Sequence, residues 1–277
     1  MMGVENFSPP EIADLVQSRG VIKAEAPFLD TLALSILAGA FIALGGVFAT
    51  VVGSQATLGF GLNRLLMGIS FSLGLILVVV AGAELFTGNN LVVMSWAGRD
   101  ISLWRLLRNW GIVYVGNLLG ALSIVVLVYY ARWWEQDGHQ VGATAVAIAS
   151  GKVNLSFEAA FVRGILANAL VCLAVWLATA GRSPTDKVLA IVFPIAAFVA
   201  AGFEHSIANM YFLPLGLLLG EDAEVLGAAG PLGDQLSRLT VPWLVHNLAA
   251  VTLGNILGGG LLVGLVYWFI YLRNRKE

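Results

Sequence analysis

His205 is the side chain of this sequence best placed to do chemistry. It stands in "AAGFEHSIANMYFLPLG" (200–216), between the apolar runs "VLAIVFPIAAFVA" and "YFLPLGLLL", with Glu204 before it and Asn209 four residues on. Each of these polar groups is costly in hydrocarbon unless a partner satisfies it, and an ionisable group at membrane depth reads as functional. An imidazole titrates near neutral pH and could pass a proton to the anion of a weak acid. A second polar island, "GAELFTGNNL" (82–91), aligns with "GFEHSIANMY" (202–211), sharing Gly, Glu and Asn at the same offsets. Glu84 and Glu204 thus take equivalent places. They are expected to accept hydrogen bonds from backbone N–H groups freed at helix breaks, as a cap does. Asn89 and Asn209 are expected to tie the second half-helices to their neighbours. The Thr87 hydroxyl and the Asn168 amide are suited to a small oxyanion, with helix–helix hydrogen bonds as the alternative.

Other chemistries fit the residues poorly. His139 falls in a connecting loop and His246 near the start of the last apolar run, which leaves no pair of intramembrane histidines for a haem. Ser206 follows His205 directly, and helical neighbours point about 100° apart, so the two make no nucleophile–base dyad. One histidine at depth and no cysteine cluster give no metal site, and the single Cys172 makes no intrachain disulfide. The expectation is transport rather than catalysis, with no cofactor.

The elements that must position these residues are membrane helices. The chain is 58% hydrophobic and 12% charged, with a mean hydropathy of +0.86. Soluble domains carry about a quarter charged residues. A formal net charge of −2 argues against a nucleic-acid partner. A crossing needs about 20 apolar residues, and six regions qualify: 28–52, 62–97, 104–131, 156–180, 186–219 and 241–271. The second and fifth are too long for one simple helix, and both carry the polar interruptions. Six crossings put both termini on one side. Arg19, Lys23, Arg99, Arg105, Arg108, Arg182, Lys187, Arg273, Arg275 and Lys276 fall on that side, against Arg64, Arg132, Lys152, Arg163 and Arg238 opposite. Ten cations against five predict cytoplasmic termini. The expected division is a cytoplasmic segment 1–27, a six-helix channel domain 28–272 and a cytoplasmic tail 273–277. In the first segment "SPPEIADLVQSRG" predicts a short helix capped by Ser8 and stopped by Gly20.

The two halves repeat. "ILAGAFIAL" (36–44) matches "ILANALVCL" (165–173) at five of nine positions, and "GNLLGALSIV" (116–125) matches "GNILGGGLLV" (254–263) at five of ten. With the polar islands, three segments correspond in the same order. Three spans per repeat make the second copy enter the membrane from the opposite face, and an inverted repeat places its ligand site near the midplane where interrupted helices meet. Interrupted backbone at depth must be buried in protein or line a wet cavity, and its helix-end dipoles favour an anion. The glycine clusters are assigned to close helix packing.

"FSLGLILVVVAGAELFTGNN", "GILANALVCLAVWLATAGRSPTDK", "GFEHSIANMYFLPLG" and "TVPWLVHNLAAVTLGNILGGGLLVGLVYWFIYL" resemble the formate/nitrite transporter family over nearly the whole chain, least at the N-terminus and in loops 132–151 and 220–238. The resemblance implies an all-α, aquaporin-like fold, a homopentamer with one pore per protomer, and a place in the bacterial inner membrane. It puts the family's central histidine on His205, its broken-helix threonine on Thr87 and its fourth-helix asparagine on Asn168. It puts the apolar constrictions on Leu75 and Leu85 and on Phe71 and Phe198, and the basic residue at the outer end of the fourth helix on Lys152. The implied permeant is formate or a similar small anion. Nitrite or hydrosulfide is the alternative within the family, and a neutral solute the alternative outside it.

Overall fold

The computed structural model describes residues 6–54, 58–231 and 233–274; Arg275 and Lys276, counted above, lie outside them. The described residues are helical nearly throughout, with no strand among them. The order is α1 (Pro9–Glu25), α2 (Phe28–Gly53), α3 (Phe60–Ala81), α4 (Phe86–Asn89), a 3₁₀ turn at Asn90–Val92, α5 (Val93–Ala97) and α6 (Leu103–Tyr130). There follow α7 (Gln140–Val153), α8 (Phe157–Ala180), α9 (Pro184–Ala200), α10 (Ser206–Leu219), α11 (Ala223–Ala229), α12 (Val241–Asn255), a π-helical stretch Ile256–Leu265 and α13 (Val266–Tyr271). Among the described residues five helical runs are long and apolar enough to cross a membrane: α2, α3, α6, α8 and Val241–Tyr271, with mean hydropathies of 1.9 to 2.3. The long second and fifth apolar regions each resolve into separate helices, α3 with α4 and α5, and α9 with α10.

Glycine sets both interruptions. Gly82 and Gly202 hold φ of +83° and +72°, a left-handed geometry that costs other residues a Cβ clash. The next N–H turns back each time: Ala83 donates to the Val78 carbonyl at 2.9 Å and Phe203 to that of Phe198 at 3.0 Å. Close packing holds the bundle, because lipid is as apolar as the side chains and gives the helices no hydrophobic reason to associate. A methyl group at Gly120 would overlap the Ile36 carbonyl, so α6 lies directly on α2; Gly258 makes the same approach to Ile165 of α8. The outer faces stay apolar, Phe193 being 75% and Trp104 73% exposed, as side chains facing lipid tails would be.

Two expectations are corrected. Gly20 does not stop α1, which runs to Glu25. A side chain at Gly20 would strike Ser95, so this glycine serves contact with the 90–97 segment. Ile12, Val16, Gly20 and Ala24 recur every four residues and are buried as one stripe. Lys152 does not sit on the long fourth apolar helix. It belongs to α7, a separate helix in the region read as a loop, packed against α10.

Candidate functional site

α3 stops at Ala81 and α4 begins at Phe86; α9 stops at Ala200 and α10 begins at Ser206. The residues between must satisfy the backbone groups that the interrupted ladder sets free. Glu84 N–H donates to the Leu34 carbonyl at 3.2 Å, and Glu204 N–H to that of Arg163 at 3.3 Å. The first free N–H of each new helix is taken by a side chain. Phe86 N–H donates to Asn117 Oδ1 and Ser206 N–H to Asn255 Oδ1, both at 2.9 Å. Asn117 Nδ2 donates in turn to the carbonyls of Glu84 (2.9 Å) and Ser35 (2.7 Å). Asn255 Nδ2 donates to those of Glu204 (3.0 Å) and Gly164 (2.8 Å).

The two glutamates therefore do not act as caps. Each pairs with a lysine and an asparagine. Lys23 Nζ lies 2.9 Å from Glu84 Oε1 and donates to Asn89 Oδ1 at 2.9 Å. Asn89 Nδ2 reaches Glu84 Oε2 at 2.6 Å and Asn109 Oδ1 at 3.0 Å, and Asn109 Nδ2 returns to the Lys23 carbonyl. The second set matches it: Lys152 Nζ to Glu204 Oε1 at 2.9 Å, then Asn209 Nδ2 to Glu204 Oε2 at 2.7 Å and to Asn247 Oδ1 at 2.8 Å. Asn247 Nδ2 returns to the Lys152 carbonyl at 3.0 Å. One difference is local: Asn209 Oδ1 is buried with no partner in the structure, and Lys152 stands 5.6 Å above the Phe212 ring.

Two cavities approach the breaks. One, of about 340 Å³, is lined by Arg19, Lys23, Lys187, Glu84, Leu75 and Leu85 among others. The other, of about 220 Å³, is lined by Arg64, Lys152, Arg163, Glu204, Phe71, Phe198 and His205. Three cationic side chains and one carboxylate face each. α3 meets the second cavity at Met67 and Phe71 and the first a turn later, at Leu75 and Val78; α9 meets the first at Lys187 and the second at Phe198. The two helices thus run in opposite directions between the cavities. Leu75, Leu85, Phe71 and Phe198 are all at most 3% exposed. Phe71 meets Phe198 edge-on with ring centroids 5.7 Å apart, and Phe198 stacks on the His205 ring at 5.9 Å.

Thr87 and His205 meet across the two breaks, Thr87 Oγ1 lying 2.9 Å from His205 Nε2. Ala208 N–H donates to His205 Nδ1 at 3.1 Å, so the imidazole is the N-cap of α10. That bond makes Nδ1 an acceptor. In the neutral ring the hydrogen then sits on Nε2 and is donated to Thr87, leaving the threonine O–H free to donate elsewhere. Of the two readings the sequence left open for Asn168, the structure shows the hydrogen bonds between helices. The two N–H groups of the Asn168 amide point to the Asn255 carbonyl (2.7 Å) and Asn90 Oδ1 (2.8 Å), and the Thr87 carbonyl, 3.3 Å from Nδ2, shares one of them. Lys23, Asn109, Asn117, Asn247 and Asn255 were not singled out by sequence. The "GN" pair shared by "GNLLGALSIV" and "GNILGGGLLV" was a signal for Asn117 and Asn255.

Interrupted helices that meet between two charged cavities, inside a bundle of apolar helices, define a helical membrane protein of the channel and transporter class. Comparison with known proteins narrows it. The sequence model of the formate/nitrite transporter family matches residues 10–269, and the chain belongs to that family. It is 46% identical to the formate channel FocA of Escherichia coli K12 over 97% of this chain and 96% of that one. It is 40% identical to a probable formate transporter of Methanothermobacter thermautotrophicus, over 98% and 100% of the two chains. A solved pentameric formate channel with formate bound superposes with a TM-score of 0.82 at 42% identity, covering 89% of this chain and 98% of that one. An FNT family ion channel superposes at 0.79 with 29% identity, covering 94% and 98%.

Proposed function

We propose that this chain carries formate, a small monovalent weak-acid anion, across the bacterial inner membrane through a pore within each protomer of a homopentamer. The observation that carries the reading is the Thr87–His205 contact at the two breaks, beside two cavities with cationic linings, one reaching Leu75 and Leu85 and the other Phe71, Phe198 and His205; we read these as one path with apolar constrictions on either side of the pair. The names of the relatives, formate channels in several species and a pentameric one with formate bound, support it. The finer architecture belongs to the same proposal: six spans as two inverted three-helix repeats, the second and fifth interrupted, in an aquaporin-like arrangement with both termini in the cytoplasm. The opposed directions of α3 and α9 and the paired break geometry support it. Residues 28–272 are the channel unit, to which α1 is tied through Lys23.

The cationic linings concentrate anions. Past Leu85 or Phe71 and Phe198 the anion loses water, which penalises its charge and raises its proton affinity. Neutral formic acid crosses the apolar neck at lower cost. The neutral His205 ring has only the Nε2–H that it gives to Thr87, so it passes a proton to formate only after taking one from vestibule water at Nδ1, at the cost of the Ala208 bond; the free Thr87 O–H donates to a carboxylate oxygen. Asn168 holds Thr87 in place. The test is flux into proteoliposomes of the full chain, comparing formate, nitrite, hydrosulfide and glycerol. Formate is expected to move fastest. Faster nitrite or hydrosulfide keeps the pore and changes the permeant, and glycerol passing without any anion overturns the reading.

A further inference from the structure

The segment that carries Thr87 is irregular where its counterpart is not. α10 runs unbroken for 14 residues, whereas Phe86–Ala97 divides into four residues of α-helix, three of 3₁₀-helix and five of α-helix. Such tightening weakens the regular ladder and is common at functional hinges. Side chains hold the carbonyls of this segment. Asn90 Nδ2 donates to the Phe86 carbonyl at 3.2 Å. The Thr87 carbonyl accepts from two donors on α8, one turn apart: Asn168 Nδ2 and the Cys172 thiol, each at 3.3 Å. Facing both donors is Gly259, in the π-helical stretch. A methyl group there would overlap Asn168 Nδ2 and lie 2.6 Å from Cys172 Sγ. The stretch begins beside Asn255, whose carbonyl takes the Asn168 amide at 2.7 Å.

We propose that Cys172 and Gly259 are positioning residues for the Thr87–His205 pair. The thiol, beside the Asn168 amide, holds the Thr87 carbonyl so that the hydroxyl of the same residue faces His205 Nε2, and the missing side chain at 259 leaves both donors room to reach it. The repeat supports a dedicated role. At the offset that relates α2 to α8, Asn168 and Cys172 correspond to Gly39 and Ala43, which carry no donor, and the residue matching Thr87 is Ile207. The donors are present only where a hydroxyl has to be aimed. This rests on the proposed pore, in which Thr87 donates to the permeant.

The test uses the full chain in proteoliposomes and reads the formate rate, its pH profile, and the ratio of formate to the bulkier acetate. Cys172→Ser keeps a donor of similar size and is expected to stay within about 1.5-fold of wild type. Cys172→Ala is expected to lower formate flux about fivefold, the scale of one weak S–H bond, with an altered pH profile and a reduced formate-to-acetate ratio. In a Thr87→Val background, where there is no hydroxyl left to aim, Cys172→Ala should add nothing to the loss. Gly259→Ala is expected to exceed Cys172→Ala in effect; if it fails to assemble, the Cys172 variants decide. A Cys172→Ala channel equal to wild type, or a Cys172→Ala loss that persists undiminished beside Thr87→Val, overturns the assignment. Wild-type protein that carries no formate overturns the proposed function instead, and is seen before any variant is made.

Discussion

The two helix breaks share a frame and differ in what they hold. Each frame is a left-handed glycine, a glutamate paired with a lysine, and three asparagines. Residue for residue, Gly82, Glu84, Asn89, Lys23, Asn109 and Asn117 answer Gly202, Glu204, Asn209, Lys152, Asn247 and Asn255. The residues at the junction do not answer. Leu85 stands where the other break has His205, and Ile207 where the first has Thr87. The frame is thus a device for ending and restarting a helix inside the bundle, and it recurs because both copies meet the same physical problem. The chemistry is an addition made across the copies: one group from each break, meeting at 2.9 Å. Repeated residues in this chain mark the scaffold, and unrepeated ones mark the task.

The largest effect is expected from breaking the frame. Asn255→Ala strips partners from Ser206 N–H and from the Glu204 and Gly164 carbonyls. A buried polar group left unsatisfied costs about 1–3 kcal/mol, so the loss is on the order of 3 kcal/mol or more. Asn117→Ala should match it. Loss of the assembled protein on size-exclusion chromatography, or a markedly lower Tm, would show this for both. A large effect at one break only would break the equivalence.

Moving the imidazole tests the junction. His205→Leu should change the pH dependence of formate flux, and adding Leu85→His should not restore it. At the first break the relocated ring would meet Ile207 in place of Thr87. Restoration by the double variant would show that position does not matter.

A smaller difference should separate the lysines. Lys152 is 15% exposed and Lys23 32%, so solvent screens Lys152 less. Lys152→Gln is expected to lower formate flux about tenfold and Lys23→Gln about threefold, the scale of local steering effects, with both losses shrinking at high salt. The reverse order would place the main electrostatic attraction at the other cavity.

The smallest effect lies at the start of α1, the counterpart of α7 in carrying the paired lysine. α1 opens with Glu11 accepting from the Ser8 hydroxyl and N–H, whereas α7 opens on His139 in a left-handed conformation. The Ser8 bonds hold the Glu11 carboxyl below its ordinary value. A depressed folded-state pKa contributes stability that is complete above the ordinary carboxylate value of about 4.3 and is lost as pH falls through the depressed one. Thermal unfolding should show a slight Tm loss for Ser8→Ala at neutral pH that narrows under acid. A loss independent of pH would remove the carboxylate from the explanation.

Much of this was legible in the sequence. Hydropathy marked the long helices, and polar residues shared at fixed offsets marked both breaks. The correspondence of α1 with α7 was not legible, because the two helices have little in common beyond Lys23 and Lys152, which share the offset between α2 and α8. A lysine counted for topology gives no sign that it ends on a buried glutamate. The sequence could not choose between an oxyanion and a neighbouring helix as the partner of Asn168, because it lists donors and not the carbonyls that claim them. The π-helical stretch has no periodicity distinct from its glycines, so the close approach at Gly259 emerged only with coordinates.

On the proposed pore the chemistry is made by Thr87 and His205 together, one from each break, while Leu85 of the first break is a passive apolar gate. Formate flux into proteoliposomes between about pH 5 and pH 8, for wild type, His205→Phe and Leu85→Phe, tests this. On this reading His205→Phe changes the shape of the pH profile, while Leu85→Phe lowers the rate throughout and leaves the shape intact. Profiles of identical shape for wild type and His205→Phe would contradict it.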